Sequence, residues 1–359
     1  MNPFIEFRFK KLTTELNAEW QCASNIAIVK YWGKKSGQIP ANPSLSFTLK
    51  NTFTQTRLEL SPSSEFSLEF WFDNKRQTLF EKRIFHYLND FQTIIPFIKN
   101  ASVKISSQNN FPHSSGIASS ASGLGAIALG LTEIASQLSE TPIPEIKFFR
   151  NASFLARMGS GSAGRSVYGG WVEWGKNSLN PDSSDLFAQK IKHKIHPNFQ
   201  NIQDTILIVS DQPKPVSSSA GHILMDSHPF SKIRYEQANS NFETLNFILQ
   251  SGNWELFARY VENETMSLHA MMMSSIPSLM MMNPMSLDII QKLIQFRKET
   301  QTLFAFTLDT RSNIHLLSPP SSLKPLQEYI HSEIKTKILY ALADEIGKGP
   351  VSLNTISLN

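Results

Sequence analysis

Pro112-His113-Ser114-Ser115-Gly116-Ile117-Ala118-Ser119-Ser120-Ala121 places small and hydroxylated residues in a turn that runs directly into a helix. Backbone N–H groups at a helix start are unpaired and point outward, and the helix dipole favours an anion there. Ser and Gly let a phosphate chain approach closely and add hydroxyl donors. Ser114, Ser115, Gly116, Ser119 and Ser120 are therefore read as phosphate-binding. Ser122, Gly125 and Ala126 are read as a small-residue packing face. No Gly-Lys-Ser/Thr closes the stretch, so it is not a Walker A loop.

Upstream, the chain alternates as strands do. Ser24 to Val29 carries Ile26 and Ile28 on one face, and Leu45, Phe47, Leu49 and Phe66, Leu68, Phe70 repeat the pattern. Leu79 to Leu88 has helical spacing, and a short strand around Val103 to Ser106 leads into the breaker Asn109-Asn110-Phe111-Pro112. Helices are expected from about Gly116 to Leu138 and from Pro144 to Met158, with Pro144 in a first helical turn. A strand is expected over Val167 to Trp174, then a polar loop from Gly175 to Asp185.

Thr205 to Val209 opens a second unit. Helices near Ser231–Gln250, Trp254–Met273 and Pro284–Thr300 follow, then strands near Leu303–Leu308 and Ile314–Leu317, and one more helix and strand over Leu323 to Ala341. This mixed order predicts an α+β or mixed α/β fold rather than a regular βαβ repeat. With 359 residues, 41% of them hydrophobic, two domains are expected, 1–200 and 201–359.

Gly159-Ser160-Gly161-Ser162-Ala163-Gly164-Arg165-Ser166 matches G-x-G-x-x-G. A dinucleotide site needs a strand before and a helix after. Here the order is reversed, which rejects that reading. What remains is a loop with hydroxyls and one guanidinium, able to grip a carboxylate or phosphate in a bidentate way or to form a surface ion pair. Asp309, in Phe306-Thr307-Leu308-Asp309-Thr310-Arg311-Ser312-Asn313, ends an apolar strand as a held carboxylate or a simple turn residue. Ser217-Ser218-Ser219 before Gly221 reads as an anion-binding helix start or a plain N-cap. The methionines from Met271 to Met285 read as core filling, and each of the nine histidines as structural.

Several classes are disfavoured. A net charge of +4 with scattered Lys and Arg forms no nucleic-acid stripe and suits a small polyanion equally well. One cysteine, Cys22, forbids a disulfide framework or a Cys-based zinc site and fits a reducing cytosol. The first sixteen residues lack the apolar core of a signal peptide, and Gly116 to Leu138 reads as a buried helix rather than a membrane span. There is no His-Glu-x-x-His and no G-x-S-x-G.

Ala23-Ser24-Asn25-Ile26-Ala27-Ile28-Val29-Lys30-Tyr31-Trp32-Gly33-Lys34 is more specific than any glycine loop. Together with Ile39 to Ser46, Asn109 to Ala121, Gly159 to Gly170, Ser218-Ser219-Ala220-Gly221 and Asp309, it resembles the GHMP kinase superfamily and, within it, the mevalonate diphosphate decarboxylase family. The match runs from about residue 22 to Gly349-Pro350. The resemblance implies a two-domain α+β fold with the site in the cleft between the domains. It implies ATP-dependent phosphorylation of the tertiary hydroxyl of mevalonate 5-diphosphate, then loss of phosphate and CO2 to give isopentenyl diphosphate. Asp309 matches the catalytic Asp, Lys30 the Lys near the reacting centre, and Arg165 the Arg on the substrate carboxylate. Ser160 and Ser162, with Tyr31 and Lys34, match diphosphate-binding positions, and Ser218 a serine near the transferred phosphate. Ser119 and Ser120 match the ATP phosphate loop, with Mg2+ on the phosphates beside Ser120. A cytoplasmic homodimer without nucleic-acid or membrane partners is implied too.

The family usually reads Asp-Ala-Gly-Pro-Asn at its last motif, whereas this chain has Asp309-Thr310-Arg311-Ser312-Asn313. A Gly there would suit a positive φ or close backbone approach. Two alternatives stand beside the main reading, a related enzyme acting on mevalonate or its monophosphate, whose site would differ by a few cationic contacts, and a non-catalytic nucleotide-binding paralogue disabled by Arg311. Retention of Asp309 and Arg165 argues against the second.

Overall fold

The computed structural model describes residues 4, 6–111, 119–212 and 218–354, leaving aside the side chains of residues 218 and 219. Ser114, Ser115 and Gly116 lie outside the described residues. The chain is α+β, as its element order implies. The described residues form an eight-stranded sheet, a four-stranded sheet and a two-stranded hairpin.

The large sheet is built on two long antiparallel strands, Leu16–Val29 and Ser44–Pro62. Ala101–Asn109 pairs antiparallel with the second of these and parallel with Ser67–Phe72. The helix Thr78–Asn89 lies between those two parallel strands in sequence, as a crossover requires. Burial in Leu16–Val29 alternates up to Gln21 and is continuous from Cys22 to Val29. The cause is a second covering layer. One side packs on the helices Ser119–Leu138 and Glu145–Gly159, through a core containing Leu58, Ile105, Ile127 and Leu131. The other side joins Ile26, Ile28, Phe47 and Trp171 to Ile206, Phe242, Phe257 and Leu317 of the second half. A strand covered on both faces loses its alternation.

The second sheet runs Ala305–Thr307, Ile314–Ser318, Gln203–Ile208 and Tyr340–Glu345, all antiparallel. Its helices are Ser231–Ser251, Trp254–Met273 and Pro284–Thr300, each within a residue of the expected span. Asn253 and Asn283 cap the last two, accepting from the Leu256 and Ser286 N–H groups. After the second sheet the chain returns to the first, where Val351–Ser352 pairs with Gln21 and Trp20. Gly169 permits that return, because a Cβ there would lie 1.9 Å from the Lys348 carbonyl oxygen.

Some details differ from the sequence reading. Pro144 is the N-cap of its helix and not part of the first turn. The strand expected over Val167–Trp174 is only Trp171–Trp174, because Ala163–Ser166 is a helical turn and Gly169-Gly170 meet the returning chain. The methionines divide. Met271, Met272 and Met281 fill a core with Trp32, while Met273, Met280 and Met285 are exposed. No helix among the described residues is long and apolar enough to cross a membrane.

Candidate active site

The end of the first strand, the turn after Glu145–Gly159, the start of Ser119–Leu138 and the loop after Ala305–Thr307 converge on one cleft of about 510 Å3. Of the residues named from the sequence, Lys30, Tyr31, Lys34, Ser119, Ser120, Ser160, Ser162, Arg165 and Asp309 all line it. The Ser218 backbone opens the short helix Ser218–Leu224, and its side chain lies outside the described set.

Lys30 is 2% exposed, yet its Nζ donates to Asp309 Oδ1 and to Thr307 Oγ1, both at 2.8 Å. Asp309 keeps about a third of its side chain exposed, toward the cleft that it lines. The Lys30 backbone is pinned on both sides. Its N–H donates to Glu264 Oε2 at 2.9 Å, and its carbonyl accepts from Asn42 Nδ2 at 3.0 Å. Glu264 is wholly buried, and it also accepts from both Arg234 Nη atoms and from Asn241 Nδ2. A carboxylate this fully bonded is a fixed post that holds the Lys30 backbone in place.

Arg165 belongs to the buried helical turn Ala163–Ser166 and is itself 2% exposed, which excludes the surface ion pair. Its Nε donates to Asn25 Oδ1 at 3.2 Å and its Nη1 to Ser44 Oγ. Asn25 Nδ2 in turn donates to the Ser162 carbonyl and to Ser166 Oγ. Nη2 makes no hydrogen bond within the described protein. Burial lowers the Arg165 pKa to about 10, offset in part by Asp309 and Tyr31. A guanidinium remains cationic at neutral pH even so. The Tyr31 hydroxyl is buried without a hydrogen-bond partner among the described residues. Gly161 makes room for its ring, since a Cβ there would approach Tyr31 to 2.6 Å. Burial also lowers the Lys34 pKa, against the pull of Asp226.

Two histidines expected to be structural bear on residues of the cleft. His222 lines the cleft, lies against the Tyr31 and Trp32 rings, and accepts from the Gly33 N–H at 2.9 Å. His269 bonds the Asp309 carbonyl at 3.1 Å, and burial holds its pKa down to about 4. Sequence reading also missed the apolar end of the cleft, lined by Phe70, Phe72, Phe80 and Ile84 with Arg83, Ser107 and Asn109 nearby. Phe80 is 38% exposed there, and Leu79 and Phe85 of the same helix are exposed as well. Among the described residues the cleft lining carries five cations, Lys30, Lys34, Arg83, Arg165 and Arg311, against one carboxylate, Asp309. Such a lining favours a polyanion.

Arg311 does not have a positive φ, so the backbone conformation that would demand glycine is not adopted there. Its Nη1 donates to the Gln212 carbonyl at 3.3 Å. Asn313 Oδ1 accepts from the Val209 and Ser210 N–H groups, tying this motif to the end of the central strand of the second sheet.

Residues 22–185 match the family described as diphosphomevalonate decarboxylase-like N-terminal domain, and residues 205–351 the mevalonate 5-diphosphate decarboxylase C-terminal domain. The diphosphomevalonate decarboxylase of Candida albicans is 31% identical over 303 residues, covering 80% of each chain. The chain belongs to the diphosphomevalonate decarboxylase family. The Bos taurus diphosphomevalonate decarboxylase is 29% identical and covers 80% of this chain and 73% of its own. Among solved structures, MDDEF in complex with MVAPP, AMPPCP and magnesium aligns with a TM-score of 0.81 at 25% identity, over 95% of this chain and 100% of that one. The mevalonate diphosphate decarboxylase from Staphylococcus aureus aligns with a TM-score of 0.83 at 22% identity, over 96% of this chain and 100% of that one, a likeness of fold. The cleft is lined from both matched segments, with Lys30 and Arg165 in the first and His222, Leu268 and Asp309 in the second.

Proposed function

We propose that this diphosphomevalonate decarboxylase family member converts mevalonate 5-diphosphate and ATP to isopentenyl diphosphate, ADP, phosphate and CO2. The observation that carries the reading is the Asp309–Lys30 pair in a cationic cleft, where Asp309 is the one carboxylate among the described lining residues and Arg165 shares the lining. In this reading Asp309 orients the tertiary hydroxyl and takes its proton as the phosphoryl group arrives. Lys30, bonded to Asp309 Oδ1, favours the ionised form that a base requires. Arg165 presents Nη2 to the substrate carboxylate while Asn25 and Ser44 hold its other edge. Tyr31, Lys34, Ser160, Ser162 and Ser218 take the diphosphate.

ATP fits the rest of the cleft. The twenty-residue helix Ser119–Leu138 begins there with Ser119 and Ser120, which suits a phosphate chain. The Phe70, Phe72, Phe80 and Ile84 end suits a flat base. No group of three His, Cys, Asp or Glu residues able to hold a metal exists among the described residues. Mg2+ therefore fits here as an ion held by phosphate oxygens and the Ser120 hydroxyl, an all-oxygen set suited to a hard cation. Bound there, it would offset phosphate charge during transfer. When the phosphate leaves, positive charge builds on the tertiary carbon beside ionised Asp309, and a partly dry pocket favours release of CO2 from the carboxylate.

The division into 1–200 and 201–359, the cytoplasmic location and a homodimer belong to the same reading. The free, buried Cys22 supports a reducing compartment. Ile233 and Phe247, exposed on one side of the helix Ser231–Ser251, support a self-contact. Incubation with ATP, Mg2+ and mevalonate, its monophosphate or its diphosphate, following CO2, ADP and phosphate, tests the function. All three products are expected from the diphosphate alone. Turnover of the monophosphate, or none at all, overturns it.

A further inference from the structure

Behind the Asp309–Lys30 pair lies a buried ionisable pair with no part in the reading above. His315 Nδ1 and Asp204 Oδ2 are 2.7 Å apart, with side chains 3% and 0% exposed. They occupy adjacent strands in the middle of the second sheet, where apolar residues would be expected. Asp204 Oδ1 has no hydrogen-bond partner among the described residues. Asp204 also stands directly opposite Asp344 across the next strand pair. Asp344 is itself satisfied by the Lys50 and Asn51 N–H groups and the Thr52 hydroxyl. Burying an ion pair seldom adds stability over an apolar pair of similar volume. Its place is therefore to be explained by what it adjoins.

What it adjoins is the reacting pair. His315 is the cross-strand partner of Thr307, so the two side chains share one face of the sheet. Thr307 Oγ1 receives Lys30 Nζ, and Lys30 holds Asp309. The sequence of contacts is Asp204, His315, Thr307, Lys30, Asp309. We propose that the His315–Asp204 pair is a positioning element for Asp309 and Lys30, an oriented buried dipole whose cationic end faces the site; this rests on the catalytic roles given above.

The charged groups around His315 agree with that direction. Asp204 on one neighbouring strand, and Asp344 one strand further, stand on the side away from the site; burial raises the Asp204 pKa, and its bond to His315 opposes that. Thr307 is the residue opposite it on the other neighbouring strand. Lys30 and Asp309 lie on the site side. The helix Trp254–Met273 contributes His269, kept neutral by burial, and Glu264, neutralised by Arg234. Although burial opposes it, Asp204 holds the His315 pKa above its ordinary value, aided by Asp309 and resisted by Lys30. A protonated His315 favours ionised Asp309. Its loss moves the acid limb of a pH–rate profile upward.

The test is the pH dependence of kcat in Asp204→Asn and His315→Gln. Both are expected to move the acid limb up by about half a unit, a loss of about threefold below that limb and less than twofold on the plateau. KM for ATP and substrate should stay within twofold. An acid limb that stays in place while the melting temperature falls makes the pair structural and overturns the inference. Nitrogen-15 NMR of the histidine rings in the unaltered protein decides the matter even where both variants misfold. An imidazolium at His315 through pH 7 upholds the proposal, and a neutral ring at pH 6 refutes it. Asp309→Asn keeps the two readings apart. Full turnover in that variant removes the proposed function, whereas a dead Asp309→Asn with an unmoved acid limb in the other variants removes only the inference.

Discussion

Lys30 Nζ and Asp309 Oδ1 meet at 2.8 Å, joining residues 279 positions apart in the chain. One comes from the end of the first sheet's founding strand and the other from the loop closing the second sheet's edge strand. The pair therefore exists only when the two halves are docked. Asp309→Asn should bind ATP and substrate yet lose turnover by ~10²–10⁴-fold. Single-turnover release of CO2 with both ligands saturating is the measurement, and near-normal release would take Asp309 out of the mechanism.

Arg165 is buried with a fork already committed to Asn25 and Ser44. Arg165→Lys keeps the charge and loses that planar grip, so kcat/KM should drop on the order of 10²-fold, with the fold retained. Kinetics equal to the parent protein's would mean that the guanidinium does not touch substrate.

At Arg311 the expectation is the opposite. The position lacks the positive φ that glycine would serve. Arg311→Gly should leave kcat within a few-fold and cost about 0.5–1 kcal/mol of stability through backbone entropy. Steady-state rates and a denaturant midpoint check both halves. An inactive parent rescued by this substitution would favour a disabled paralogue.

Glu264→Gln leaves the buried Arg234 guanidinium without its counter-charge and weakens the acceptor for the Lys30 N–H. Removing one partner of such a pair costs about 3–5 kcal/mol. Urea unfolding should register a loss of that size. A loss under 1 kcal/mol would mean that water reaches Arg234.

Gly169→Ala would set a methyl against the Lys348 carbonyl. Overpacking of this kind costs about 1–3 kcal/mol. Faster hydrogen exchange at residues 347–352 in that variant is the expected sign, and unchanged exchange there would argue against the close crossing.

Much of this was legible in the residues. The helices Trp254–Met273 and Pro284–Thr300 carry asparagine caps and clear periodicity, and the strand carrying Asn25 to Val29 leads directly into the Lys30–Lys34 signature. The strand Ser44–Pro62 was read only near Leu45 to Leu49, because its buried face continues as Thr52, Thr54 and Thr56. Threonines hide an apolar alternation while satisfying themselves by hydrogen bonds, here to Asp344, Ser122 and Ser107. Asp309, Lys30 and Arg165 could be named from motifs. His222, His269 and Glu264 could not, since each acts through a backbone atom or a ring supplied by a distant segment, and nothing adjacent in sequence marks them. The Phe70–Phe80 wall was hidden for a similar reason, because an aromatic lining a cleft and one filling a core look alike in one dimension.

The pairing of Val351–Ser352 with Trp20 and Gln21 has a consequence for synthesis. On a ribosome the first sheet emerges early, yet its edge at Trp20 and Gln21 stays open until residues 351 and 352 have been made. At about 5–20 residues per second, the interval between Gln21 and Val351 is tens of seconds. Over that time the nascent chain exposes an unpaired strand edge, a template for contact with other chains. A nascent chain stalled before residue 351 would then be the species most prone to pair with its neighbours.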